Sequence, residues 1–144
     1  MATATKTDLQ DIAKLLAKLD IGMLTTKADD GTVHGRPMSN NGEVEYDGDS
    51  WFFSEDGTRK VTEIEADPAV ELAFIDTKAG TWVNVEGEAT ILRDDVERKQ
   101  ELWLKDLERW FPNGPDDPNV ALIRVASSAA QWWTDKGDGT ANLS

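Results

Sequence analysis

The chain contains no cysteine. That excludes disulfides, thiolate catalysis and cysteine-ligated zinc or iron–sulfur clusters. It has one histidine, His34, and one tyrosine, Tyr46. A lone histidine makes neither a metal cluster nor a supported Ser/His/Asp arrangement, and no GxSxG element is present. His34 is read as a partly exposed strand residue and Tyr46 as part of a turn-rich loop. No apolar run approaches membrane-spanning length. The start, Met1 to Thr7, lacks the apolar core of a signal peptide, so the expectation is a cytoplasmic protein. Cations are scarce, with 15 Lys+Arg against 28 Asp+Glu and a net charge of -13. Nucleic acid and anionic membranes would be repelled. The pairs Asp29-Asp30, Asp94-Asp95 and Asp116-Asp117 fall in turns or at a helix start, normal places for Asp. They carry no metal or glycosidase assignment.

What is present suits one globular domain. The chain has 144 residues, 39% of them hydrophobic, enough for one core. The reading is a single domain over residues 1–134 with a loose polar tail over 135–144. Thr7 and Gln10 have capping-box spacing, and Leu9, Ile12, Leu15, Leu16 and Leu19 share a helical face. Ile21 to Lys27 reads as a strand, with Thr32 to Asn40 as its hairpin partner. Asn40-Asn41-Gly42 and Asp47-Gly48-Asp49 are loop signals. Ser50 to Ser54 is a buried strand. A helix from Arg59 stops before Asp67-Pro68, because a residue preceding proline disfavours the helical region.

Val70 to Asp76 alternates as a strand. Thr81 to Arg93 places Val83, Val85, Gly87, Ala89 and Ile91 on one side and Trp82, Asn84, Glu86 and Glu88 on a wetter one. Asp94 is expected to cap a third helix with Trp103, Leu107 and Trp110 as its apolar stripe. Val120 to Ala126 reads as a core strand and Gln131 to Thr134 as a separate short one. About six strands, largely in sequential hairpins with short helices between, predict a mainly β protein: a small barrel with helical covers.

Thr58-Arg59-Lys60 opens a helix with two cations in a strongly acidic chain. The helix N-terminus already carries partial positive charge, so cations there oppose stability unless an anion is held. Free N–H groups, a Thr hydroxyl and two cations together suit a phosphate. The plainer alternative is that Arg59 and Lys60 point into water and compensate Glu55, Asp56 and Glu63. On the preceding hairpin, His34, Arg36 and Met38 share one face by period two. An Arg beside a barrel mouth can offset negative charge on a ligand; the plainer alternative is that Arg36 is an exposed strand charge, with Pro37 and Met38 as simple edge and core residues. General acids and bases are otherwise few, so redox chemistry would need a cofactor. The six tryptophans mostly suit core and interface positions, some of them walling a flat ligand.

Taken in order, several segments resemble a known family: Gly22-Met23-Leu24-Thr25-Thr26, Arg36-Pro37-Met38-Ser39, Trp51-Phe52-Phe53-Ser54, Thr58-Arg59-Lys60-Val61, Asp67-Pro68-Ala69-Val70, Val83-Asn84-Val85-Glu86-Gly87 and Trp110-Phe111-Pro112. The chain resembles the FMN-binding split-barrel superfamily related to pyridoxamine 5'-phosphate oxidases, in its bacterial general stress protein branch. The resemblance spans roughly Leu9 to Thr134. It implies a six-stranded split β-barrel that forms a homodimer, with FMN sites at the interface.

By position, Thr58, Arg59 and Lys60 match the element that binds the FMN phosphate, with Phe53 and Ser54 beside it. Arg36, Pro37, Met38 and Ser39 match the strand along the flavin ring and ribityl chain. The partner protomer would add an aromatic wall, for which Trp110, Trp132 and Trp82 are candidates. Pyridoxamine phosphate oxidases end in a basic segment that clamps the substrate phosphate. Here the end is Asp135-Lys136-Gly137-Asp138-Gly139-Thr140, so vitamin B6 oxidation itself is not expected. The implied function is a stress-related flavoprotein oxidoreductase with NAD(P)H or another small redox donor. The alternatives are a non-catalytic FMN-binding or sequestering protein, or a split barrel holding a deazaflavin or pyridoxal phosphate.

Overall fold

The computed structural model describes residues 6–19, 21–39 and 46–143. Among them are three α-helices: α1 (Lys6–Leu16), α2 (Arg59–Ala66) and α3 (Val96–Leu102). Seven strands accompany them: β1 (Ile21–Lys27), β2 (Val33–Ser39), β3 (Asp49–Glu55), β4 (Ala69–Asp76), β5 (Thr81–Leu92), β6 (Val120–Thr134) and β7 (Gly137–Asn142). All pairings are antiparallel, in the order β2-β1-β4-β5-β6-β3, with β7 also on β6. The protein is thus mainly β. None of the described helices is long and apolar enough to cross a membrane.

Alternation sets which face is buried. Val70, Leu72 and Phe74 of β4 and Val83, Val85 and Ala89 of β5 point inward, as their spacing predicts. Ile123, Val125 and Ala130 of β6 join them, and Ile12 and Leu16 of α1 with Leu19 close the cluster. Each fully buried Leu, Ile or Phe contributes about 1.5–3 kcal/mol. This common core anchors the three strands that carry site residues, β1, β2 and β3.

Several expectations are corrected. The segment expected as a loose tail forms β7, and the described residues hold seven strands where about six were expected. Its pairing with β6 buries Ala141 and lays Gly139 against the Trp132 ring. The two strands expected within 120–134 are one, because β5 pairs along nearly its whole length. The register slips by one residue at Glu86/Gly87, leaving Ser128 as the extra residue. A Cβ on Gly87 would overlap the Ala126 carbonyl oxygen, so the close strand approach there requires glycine.

The third helix is capped by Asp95, not Asp94: its side chain accepts from the Arg98 N–H at 3.0 Å. That helix ends at Leu102, and the expected stripe lies beyond it. Trp103 is extended (φ -69, ψ 132), which carries its ring edge-on to Phe53 at 5.0 Å. A short 3-10 segment, Lys105–Arg109, follows. Tyr46, read as a loop residue, is buried and 2.6 Å from Ser127 Oγ. Asn40-Asn41-Gly42 and the Thr7 side chain lie outside the described residues.

Candidate functional site

β3 delivers Ser54 to its buried face and ends at Glu55. Asp56-Gly57 then turns the chain, with Gly57 at φ 80, a conformation that favours glycine. Arg93 ties this turn down. Its Nε is 2.7 Å from Asp56 Oδ2 and its Nη2 is 2.7 Å from Glu65 Oε1 on α2. Hydrogen bonding from Arg93 holds the Asp56 carboxyl below its ordinary range. Thr58 takes the N-cap position of α2 with an extended backbone, yet its side chain makes no capping bond. Its Oγ1 donates instead to the Glu55 carbonyl at 3.0 Å. The first turn contains no acid.

Lys60 reaches back across this uncapped helix start, and its Nζ donates to Ser54 Oγ at 2.9 Å. Ser54 Oγ lies 3.3 Å from Thr58 Oγ1. No carboxylate of the described residues comes within ion-pair distance of Lys60. Burial, then the nearby Arg36 charge, lower its pKa below the ordinary 10.5. Two hydroxyls, an amine without a carboxylate and uncapped helical N–H groups therefore converge. That set fits a phosphate monoester.

Beside it lies a network around Glu63, one turn further along α2. Glu63 is 6% exposed. Its Oε1 accepts from Thr26 Oγ1 at 3.1 Å and from Arg36 Nη2 at 3.4 Å. Its Oε2 is 3.0 Å from His34 Nδ1 and 3.7 Å from Arg59 Nε. Burial pushes the Glu63 pKa up, but hydrogen bonds from His34 and Thr26 and the Arg59 charge outweigh it, leaving it lowered. Arg36 is fixed further by Nη1 bonds to Thr26 Oγ1 at 2.7 Å and the Leu24 carbonyl at 3.2 Å. Arg59 Nη2 is 2.6 Å from His34 Nε2. The two cations of the Arg59-Lys60 pair thus differ. Arg59 is already engaged by Glu63, as the plainer reading held, and Lys60 is not.

Of the residues singled out from the sequence, Arg36, Ser54, Thr58, Arg59 and Lys60 come together. Met38 shares the inward face of β2 with Arg36 but is buried in the core. Pro37 and Ser39 are exposed on the opposite face. Phe53 points away from Ser54, toward Trp103. Trp110 is 65% exposed and lines a cleft of about 430 Å³ with Phe111, Glu55, Asp56 and Asp117. Trp132 packs on the core beside β7, and Trp82 faces outward. Sequence reasoning missed Glu63 as a site residue. Its signal was there: it stands four after Arg59, on the same helical face.

A family model for pyridoxamine 5'-phosphate oxidase like proteins matches residues 7–143, and the chain belongs to that family. It is 34% identical to general stress protein 26 of Bacillus subtilis strain 168 over 124 residues, covering 81% of this chain and 84% of that protein. It is 26% identical to protein bli-3 of Neurospora crassa over 132 residues, 86% of this chain but only 63% of the relative's length.

A crystal structure related to general stress protein 26, from Clostridium acetobutylicum, superposes with a TM-score of 0.81 at 20% identity, covering 97% of each chain. A pyridoxamine 5'-phosphate oxidase-related, FMN binding protein from Nostoc punctiforme PCC 73102 gives 0.70 at 16% identity, over 93% of this chain and 85% of that one. An F420 reductase gives 0.63 at 22% identity, over 81% and 93%. At these identities the structural likenesses establish the fold, the split barrel that the sequence resemblance implied.

Proposed function

We propose that this protein is an FMN-binding flavoprotein of the general stress type. The observation that carries the reading is Lys60, which bonds Ser54 at an uncapped helix start with no carboxylate partner among the described residues. Ser54, Thr58 and Lys60 would hold the cofactor phosphate. Arg59 and Arg36 would stand alongside, with Arg36 nearer the flavin ring. FMN, when bound, supplies the electron transfer that these side chains cannot perform. Its donor would be NAD(P)H or another small molecule, and the protein would work in the cytoplasm.

The assembly would be a homodimer with FMN at its interface. Ile75, Trp82 and Trp133 form an exposed apolar row across β4, β5 and β6. A second copy would cover such a row and add an aromatic wall to the flavin from Trp110, Trp132 or Trp82. The F420 reductase likeness supports a second reading, a deazaflavin in the same fold.

The test is a visible spectrum after incubation with FMN and desalting, repeated with riboflavin and with F420. Retained bands at about one FMN per chain, with riboflavin washed away, support the assignment. A colourless protein whose tryptophan emission ignores FMN overturns it, and retention of F420 alone selects the second reading. NAD(P)H oxidation by the loaded protein then separates an oxidoreductase from a binding module.

A further inference from the structure

We propose that Glu63 is the positioning residue of the anion pole, holding Arg36 directly and Arg59 both by a direct ion pair and through His34; this rests on the reading of that pole as a phosphate site. A carboxylate buried to 6% exposure is costly unless its oxygens are satisfied. Glu63 is satisfied by three donors, Thr26, His34 and Arg36, and by the Arg59 charge. These partners come from β1, β2 and the first turn of α2, so one carboxylate gathers three elements of the site.

The imidazole's role follows from hydrogen-bond chemistry. A guanidinium has donors only. Because Arg59 Nη2 is 2.6 Å from His34 Nε2, Nε2 must accept and the ring proton sits on Nδ1. Nδ1–H then donates to Glu63 Oε2 at 3.0 Å. His34 is a neutral bridge that hands the Glu63 acceptor on to Arg59. Arg59 is 65% exposed along its side chain, and among the described residues this bridge and Glu63 are its anchors. Without them, a long exposed side chain beside Lys60 and Arg36 would be driven into water by like charge.

The proposal makes a prediction opposite in sign to simple electrostatics. Removing a negative charge from beside three cations should tighten anion binding. If Glu63 positions the arginines, the phosphate should be held more weakly instead.

The experiment is titration of the full chain with FMN and with riboflavin, followed by tryptophan fluorescence, for the unmodified protein, Glu63→Gln and His34→Ala. The ratio of the two affinities isolates the phosphate's share, which general loosening of the fold would not single out. The expected result is an FMN affinity at least about tenfold lower in Glu63→Gln, the scale of a charged hydrogen bond, with riboflavin unchanged. Equal or tighter FMN binding by Glu63→Gln overturns the proposal and leaves the phosphate site standing. An unmodified protein that binds FMN no better than riboflavin overturns the phosphate site and the proposal together. Should Glu63→Gln fail to fold, His34→Ala decides: it leaves Glu63 paired with Arg36 and Thr26, and an unchanged FMN-to-riboflavin ratio refutes the bridge.

Discussion

Lys60 and Tyr46 show how position changes the chemistry of a single side chain. Lys60 is half-buried beside Arg36, so its proton is held less firmly than in water. Lys60→Ala is expected to weaken FMN binding by about 1.5–3 kcal/mol, the range for a charged hydrogen bond, with riboflavin unaffected. Because the Lys60 pKa lies below 10.5 before ligand binds, FMN affinity should fall as alkaline pH strips that proton, and Lys60→Ala should lack this loss.

Tyr46 goes the other way: burial raises its pKa from 10.0 to about 12, against the hydrogen bond to Ser127. The unfolded chain then releases the proton first as pH rises. The stability contribution is complete below pH 10 and disappears between pH 10 and about 12. That loss amounts to about 2–3 kcal/mol. Urea unfolding across that window should show it in the unmodified protein and not in Tyr46→Phe. At this scale the sequence revealed Lys60, whose sign is anomalous for a helix start. It concealed Tyr46 and Glu63, because burial depends on chain segments far away: Ser127 and Thr26 are partners no local pattern names.

At the scale of elements, local patterns placed β1, β2, β3, β4, β5 and α2 within a residue or two of their observed bounds. Period-two alternation and the Asp67-Pro68 stop act over short distances and need no tertiary context. The failures fell where neighbours decide. Ser127-Ser128-Ala129-Ala130 has little strand character of its own, yet β5 pairs through it and makes β6 one strand. Asp94 and Asp95 are equally good caps by chemistry, and the exit from β5 selects Asp95. The slip beside Gly87 is the joint that lets the two long strands pair on both sides of the irregularity. Gly87→Ala should cost about 1–3 kcal/mol, as overpacking against backbone does, read as a shift of the urea midpoint.

At the scale of the whole molecule, β7 is the largest departure from expectation. It occupies the edge of β6 beyond β3 and covers Ala130 and Trp132. Truncation after Thr134 should lower the thermal midpoint by roughly 5 °C or more. A loose tail would leave it unchanged. Unpaired, that stretch of β6 would present free backbone groups and an uncovered tryptophan, so aggregation on heating should also increase.

The sequence by itself determined the mainly β class, the inward faces of β4 and β5, the start and stop of α2, and the presence of an unusual cation pair on an acidic chain. Those features follow from side-chain periodicity, backbone sterics and net charge, all of which operate locally or by simple sum. Only the tertiary structure decided which of the two cations is left for a ligand. That choice depends on a buried glutamate, a histidine on β2 and an arginine two residues on, brought to one place by strand pairing. Burial makes each of those polar groups find a partner, and the partners available exist only once the sheet has formed.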